Sequence, residues 1–335
     1  MRVMTSKQSL TSAEMGKLWA MYVGNTMSKC ILSYYLKCVE NQDIKNIVNN
    51  ALNLSESFIQ IIKDIFLHEN FPIPIGFTEE DVNLDAPRLF FDEFYLHYLK
   101  YAGKAGMGLY SIAIPLVTRN DVREFFTDSL QSTVKLINEV NITLMDKGFL
   151  MSPPTIPIPL KADFVKKQKY LNGFIGNIRP LHGLEIAHLY DNLENDVTSK
   201  ALIIGFAQVS KDKEIKQFFT RGKEVNQKHI ELCAQKLKKE DLPSPSLIDH
   251  LVSNSTDAPF SDKLMLFHKI DMFSMKIRAY AEGVSLNGRR DIAAMYAHLM
   301  MEVGLYVEDG ANIMIDRGWM ERPPEAADRD NLASK

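Results

Sequence analysis

Asp146-Lys147-Gly148-Phe149-Leu150, closed by Pro153-Pro154, returns near the end of the chain as Asp316-Arg317-Gly318-Trp319-Met320, closed by Pro323-Pro324. In each copy a long apolar-periodic segment runs into a basic residue, a glycine and then prolines. That order stops a helix: the cation meets the negative helix end, glycine takes the left-handed turn, and proline forbids continuation. Read twice, it predicts a chain built from two copies of one helical unit.

The echo extends outward. Its separation, 316−146 = 170, is repeated by the helix start Arg119-Asn120-Asp121-Val122 and Arg289-Arg290-Asp291-Ile292. Asp85-Ala86-Pro87 pairs with Asp257-Ala258-Pro259 at 172, and Leu10, Glu14, Trp19 and Ser28-Lys29 pair with Leu181, Glu185, Tyr190 and Ser199-Lys200 at 171. A spacing this steady means tandem duplication, and the repeat is far longer than the roughly 20–50 residues of solenoid units, so each copy is expected to be a domain. The expected boundaries are a first four-helix bundle over 1–151, a proline-rich packed connector over 152–180, a second bundle over 181–322 and a polar tail over 323–335.

The 335 residues are 46% apolar and 24% charged, with a net charge of −3, which fits two globular domains and supplies no field for nucleic acid. No apolar run reaches the roughly 20 residues of a membrane span, and the first residues lack a signal-peptide core, so a cytoplasmic protein is expected. Cys30, Cys38 and Cys233 have neither metal-knuckle nor CxxC spacing and read as reduced, packed thiols.

Along the chain, Thr11-Ser12-Ala13-Glu14 is a capping box that opens a first helix to about Glu40. A second follows from Asp43 to about His68. The Pro72-Ile73-Pro74 stretch predicts a long crossing loop, the third helix follows Asp85-Ala86-Pro87 and ends before Pro115, and the fourth runs from about Asn120 to Lys147. The second copy repeats the pattern over Gly183–Ser210, Lys211–Lys239, Phe260–Leu286 and Arg289–Arg317. None of the fourteen prolines falls inside a proposed helix away from its first turn or end, and no stretch reads as a strand. Gly103, Gly106 and Gly108 lack the phosphate-loop spacing and read as close helix contact or a weakened helix end. Between the copies, Ser152–Pro180 carries five prolines with Phe164, Tyr170, Leu171, Phe174 and Ile175, a composition that predicts a connector packed on both bundles.

Pro72-Ile73-Pro74-Ile75-Gly76-Phe77, Ile156-Pro157-Ile158-Pro159 with Asp163-Phe164-Val165-Lys166-Lys167-Gln168, Arg179-Pro180-Leu181, Phe260-Ser261-Asp262-Lys263-Leu264-Met265 and Glu308-Asp309-Gly310-Ala311-Asn312-Ile313-Met314 carry a resemblance over nearly the whole chain. It resembles a bacterial family of endospore-forming Gram-positives that is catalogued as a domain of unknown function and is similar to the spore coat protein F group. The resemblance implies an all-α fold of two tandem ferritin-like four-helix bundles and a spore association. It implies no reaction.

A ferritin-like bundle raises a di-iron or di-manganese centre, which needs a Glu on each of two helices and an ExxH pair on each of the other two. The single ExxH, Glu185-Ile186-Ala187-His188, falls in a first helical turn, where Glu185 duplicates the capping Glu14. The remaining metal candidates are His229, His268, His298 and Glu302 of the second copy, with His97 matched to His268 at 171. No GxSxG elbow, P-loop or HExxH is present, so no catalytic residue is expected. Three readings follow. The first is a non-catalytic tandem bundle with no cofactor, binding an unknown protein partner or serving a sporulation-related structure. The others are a metal-dependent oxidase or storage protein using iron or manganese, and a scaffold binding a small apolar ligand in the groove between the bundles.

Overall fold

The computed structural model describes residues 8–286 and 288–334. Eight long helices account for most of them: α1 (Ser12–Cys38), α2 (Gln42–His68), α3 (Asp92–Ala113), α4 (Asn120–Asp146), α5 (Gly183–Val209), α6 (Lys213–Lys238), α7 (Asp262–Leu286) and α8 (Arg290–Asp316). A short exposed helix, α9 (Arg329–Ala333), lies in the tail. The described residues form no strand, only two isolated bridges between loops. The all-α reading and the tandem helical bundles stand.

The helix ends are built as the repeated stretch demands. Gly148 and Gly318 both adopt left-handed φ, at 71° and 65°. Behind them the Phe149 amide donates to the Leu144 carbonyl and the Trp319 amide to that of Met314, each at 2.8 Å. These bonds reach back over the last turn and satisfy carbonyls that the ending helix would orphan.

At the opposite end of each bundle the capping glutamate does more than cap. Glu14 accepts from Thr11 and also, at 2.8 Å each, from the amides of Thr118 and Arg119 at the start of α4, tying two helix N-termini together. Buried Arg119 closes the node on Asp121 and on Glu69 at the end of α2. The second half repeats it with Glu185, Arg289, Asp291 and Glu240. Burial alone would raise the Glu14 carboxyl, but the Arg119 and Thr11 donors, with Thr118, hold it at about 2.

The two halves are related by a pseudo-twofold. Helix starts are 171 residues apart in the first pair of each bundle (183−12) and 170 in the last (290−120), so one residue is lost in the second crossing loop. The crossing loops clasp each other: Val82 pairs with Phe260, and Phe90 with Val252. The Asn83 amide donates to the Pro259 carbonyl and, as its symmetry mate, the Ser253 amide to that of Leu89. Pro259 is therefore the counterpart of Leu89, and the Asp85-Ala86-Pro87 echo at 172 is fortuitous. For the same reason α3 begins at Asp92, after the clasp, rather than directly after Pro87.

Two expectations are corrected. The bundles do not close separate interiors: one apolar cluster runs without a break from Val23 in α1 to Met314 in α8, and a smaller cluster around Leu18, Phe66 and Phe126 fills the outer end of the first bundle. The clasp draws α3, α5 and α7 together, and α5 is buried on every side from Asn192 to Ile203. The connector is not packed on both bundles either. It is anchored where Arg179, stacked on Tyr170, binds Glu185 and where Gly173 sits against Asp291, a place no side chain could enter. Most of the rest is exposed, with Ile158 at 90% and Phe164 at 89%. Prolines at 153, 154, 157 and 159 restrain only its first part; the rest turns through a short 3-10 helix over Gln168–Leu171.

Replacing Arg289 with Met leaves Asp291 and Glu240 without their shared cation and is expected to cost about 3–5 kcal/mol in denaturant unfolding. Because the folded Glu14 carboxyl lies below its ordinary value of 4.5, its stabilisation is complete above that pH and is lost as the pH falls towards 2. A pH series of thermal melts on Glu14→Gln should thus converge on wild type only at the acid end.

Candidate functional site

The inward faces of α5, α6 and α7 in the second half meet on a buried polar network. Two lysines of α7 are at its centre. Lys276 is 2.6 Å from the Asp196 carboxylate and donates also to the Asn226 side-chain oxygen. Lys269, about two turns earlier on the same face of α7, donates to the Ser199 hydroxyl at 2.8 Å and to its carbonyl at 3.1 Å. Asn226 in turn donates to the Ser199 hydroxyl, and the Tyr280 hydroxyl donates to Asp196 at 3.0 Å. His229 lies 3.0 Å from Tyr280 through Nδ1 and 3.3 Å from Glu302 through Nε2, and Glu302 is held by Lys228 at the surface. The network thus runs from the α5–α7 contact to the outer edge of α8.

Burial sets the electrostatics. It pushes the Lys269 ammonium far below its usual range, helped by neighbouring Lys276, and it lowers Lys276 against the pull of Asp196. It also lowers His229, with Asp196 opposing. Glu302 remains below the usual carboxylate range despite burial, because Lys228 and His229 stand beside it. Cys233, fully buried near Asp196, is pushed up, which keeps it a thiol.

Of the four metal candidates, the structure gathers three. His298 reaches Glu302 at 3.6 Å from an exposed position, beside His229. His268 is elsewhere: its Nε2 lies 2.9 Å from the Tyr98 hydroxyl at the contact between the halves. Since α3 and α7 correspond at 170, Tyr98 and not His97 is the counterpart of His268, and the two equivalent residues meet across the pseudo-twofold. His97 stays beside Glu93 on its own helix. In the ExxH segment, Glu185 is spent on Arg179 and the α8 amides, which hold its carboxyl low against burial.

The residues present do not fit a metal pair. The Lys276 ammonium paired with Asp196 offers protons and no lone pair, and together with the Lys269 side chain on Ser199 it occupies the space on which inward ligands would have to converge. Glu302 is shared with Lys228, and among the described residues no group of three or more His, Cys, Asp or Glu is placed to hold a metal ion. The first half carries Asn25, Ser28, Ser55 and Gly106 at the positions of Asp196, Ser199, Asn226 and Lys276. Without the lysine it keeps a cavity of about 90 Å³ lined by those residues.

Sequence reasoning missed Asp196, Lys269 and Lys276. Their signal is on α7: Leu266, Lys269, Phe273, Lys276 and Tyr280 recur at helical spacing, so the two lysines lie in an otherwise apolar stripe.

A family described as a protein of unknown function (DUF3231) matches residues 1–161 and again 169–332. The chain belongs to that family. The two matches reproduce the duplication, and this member of the DUF3231 family contains no described helix long and apolar enough to cross a membrane. A solved structure from Bacillus halodurans C-125, provisionally described as a spore coat protein, is similar to it at 15% identity and a TM-score of 0.42, over 45% of this chain and 98% of that one. No curated protein matches.

Replacing Lys276 by Met strands the Asp196 carboxylate in the interior and is expected to cost about 3–5 kcal/mol, while Lys276→Met with Asp196→Leu should recover most of that loss in the same urea titration.

Proposed function

We propose that this protein acts by binding and not by catalysis, as a rigid two-bundle scaffold that captures a protein partner on its connector. The observation that carries the reading is the exposure of Ile158, Leu160, Phe164, Val165, Phe174 and Ile175 on one extended segment. An exposed apolar surface of this kind marks an interaction site. Lys161, Lys166, Lys167 and Lys169 stand among these residues against a single acid, Asp163, while the whole chain has a net charge of −3. The partner that fits is a protein with an apolar groove rimmed by carboxylates. Pro157 and Pro159 stiffen the segment around Ile158, so less chain entropy is lost there when it docks. A sporulation-related structure is the setting implied by the family resemblance of the motifs. The lysines in the second bundle support the non-catalytic half of the reading.

A photo-reactive residue placed at Phe164 in cells that make the protein is expected to yield one discrete adduct with an acidic protein, lost when Lys166, Lys167 and Lys169 are changed to Glu. Absence of a discrete adduct, or an adduct indifferent to the charge reversal, would refute the partner reading. Elemental analysis after growth with iron and manganese is expected to find well under one metal per chain; about two per chain would overturn the non-catalytic reading.

A further inference from the structure

The pseudo-twofold creates two equivalent clefts between the halves, and duplication has let them diverge. One, of about 370 Å³, lies between α3, α5 and α7. Its lysines are paired within the protein: Lys104 binds Asp191 and Glu194, and Lys276 binds Asp196. Its mate, of about 310 Å³, lies between α1, α3 and α7, with Trp19, Met21, Tyr110, Phe267, Met272 and Met275 among its walls.

Three features distinguish this second cleft. Asp271 lines it half-buried, and Arg278 at the exposed rim acts on it through space without a formed hydrogen bond. Its counterpart in the first half is Tyr101, which spends its hydroxyl on the Met272 carbonyl. His268, 1% exposed, has its Nε2 on Tyr98 but finds no partner for Nδ1. Gly24 on the α1 wall has open space where a Cβ would stand, so packing does not require glycine there; a larger residue would fill the cleft. An unfilled apolar cavity with a few convergent polar groups is the usual form of a small-molecule site.

We propose that the α1–α3–α7 cleft binds a small primary amine with an aromatic or aliphatic body, Asp271 taking the ammonium and the aromatic and methionine walls taking the body. The carboxylate gains the cationic hydrogen-bond partner that the fold withholds, and the aromatic faces favour the same charge. Methionine side chains adapt to bodies of different shape, which fits a class of amines better than one rigid ligand. The site lies away from the connector and stands or falls independently of the partner reading.

Trp19 is in this cleft, so its fluorescence reports occupancy once Trp319, the other tryptophan, is replaced by Phe. In that background 2-phenylethylamine and hexylamine are expected to give saturable changes with Kd tighter than about 1 mM, and 2-phenylethanol to bind about 10-fold more weakly or worse. Asp271→Asn should weaken the amines by about 10-fold or more and leave the alcohol unchanged; Gly24→Leu should abolish both. Each variant must melt at or above the parent temperature, as removal of a poorly paired carboxylate or a helical glycine should allow. Equal binding of amine and alcohol, unaltered amine binding in either variant, or no saturation by either amine would overturn the proposal.

Discussion

A helix without a solvent side must satisfy inside the protein every polar group it carries, and α5 is such a helix from Asn192 to Ile203. The requirement comes from the clasp of the crossing loops, which brings α3 and α7 against it from different halves. Each polar residue of α5 accordingly has a designated partner. Glu194 takes Lys100 and Lys104 from the first half, Lys200 takes Asp249, Asp196 takes Lys276, and Ser199 takes Lys269. Removing any one partner leaves a charge or a hydroxyl in a medium that cannot solvate it. The duplicated chain thus holds one relative placement of its halves through paired charges as well as apolar area.

Duplication makes this asymmetry possible. In a symmetric pair of identical units, a lysine at the place of Lys276 would appear twice and would need two aspartates. Within one chain the first half can keep Gly106 and Asn25 while the second carries Lys276 and Asp196. The end nodes show the opposite regime. Glu14 with Arg119 and Glu185 with Arg289 are alike in both halves because each ties the N-termini of two helices within its own bundle, a task that does not depend on the neighbouring copy.

Local signals were legible in the sequence for this reason. The capping box at Thr11 and Glu14, the glycine stops at Gly148 and Gly318, and the prolines between helices act within a few residues, and all are found where the residues place them. What was not legible depends on the other half. Asp191 to Asp196 reads as a solvated face because nothing in that segment reveals that α3 will cover it. His97 was matched to His268 because a one-residue loss in the crossing loop shifts the register, which the backbone bonds at Val82 and Phe260 reveal and the residue types do not. The connector was misjudged on different grounds. Its apolar content says that burial would be favourable but not against what, and the fold offers it only the anchor around Tyr170 and Gly173.

The second-half network also explains why a bundle of this shape need not carry metal chemistry. A metal pair and the Lys276 ammonium meet the same structural need, a positive charge to balance a carboxylate that a helix turns inward. They differ in what they demand of their surroundings. A metal requires several lone-pair donors converging from four helices, whereas an ammonium is satisfied by one carboxylate and a few neutral oxygens. Asp196, Asn226 and Ser199 are that smaller set, and His229 joins Tyr280 to Glu302. With Lys276 paired to Asp196 and Lys269 bonded to Ser199, the centre of this half is already occupied. The half that carries the two lysines thereby has an interior closed by hydrogen bonds among α5, α6 and α7.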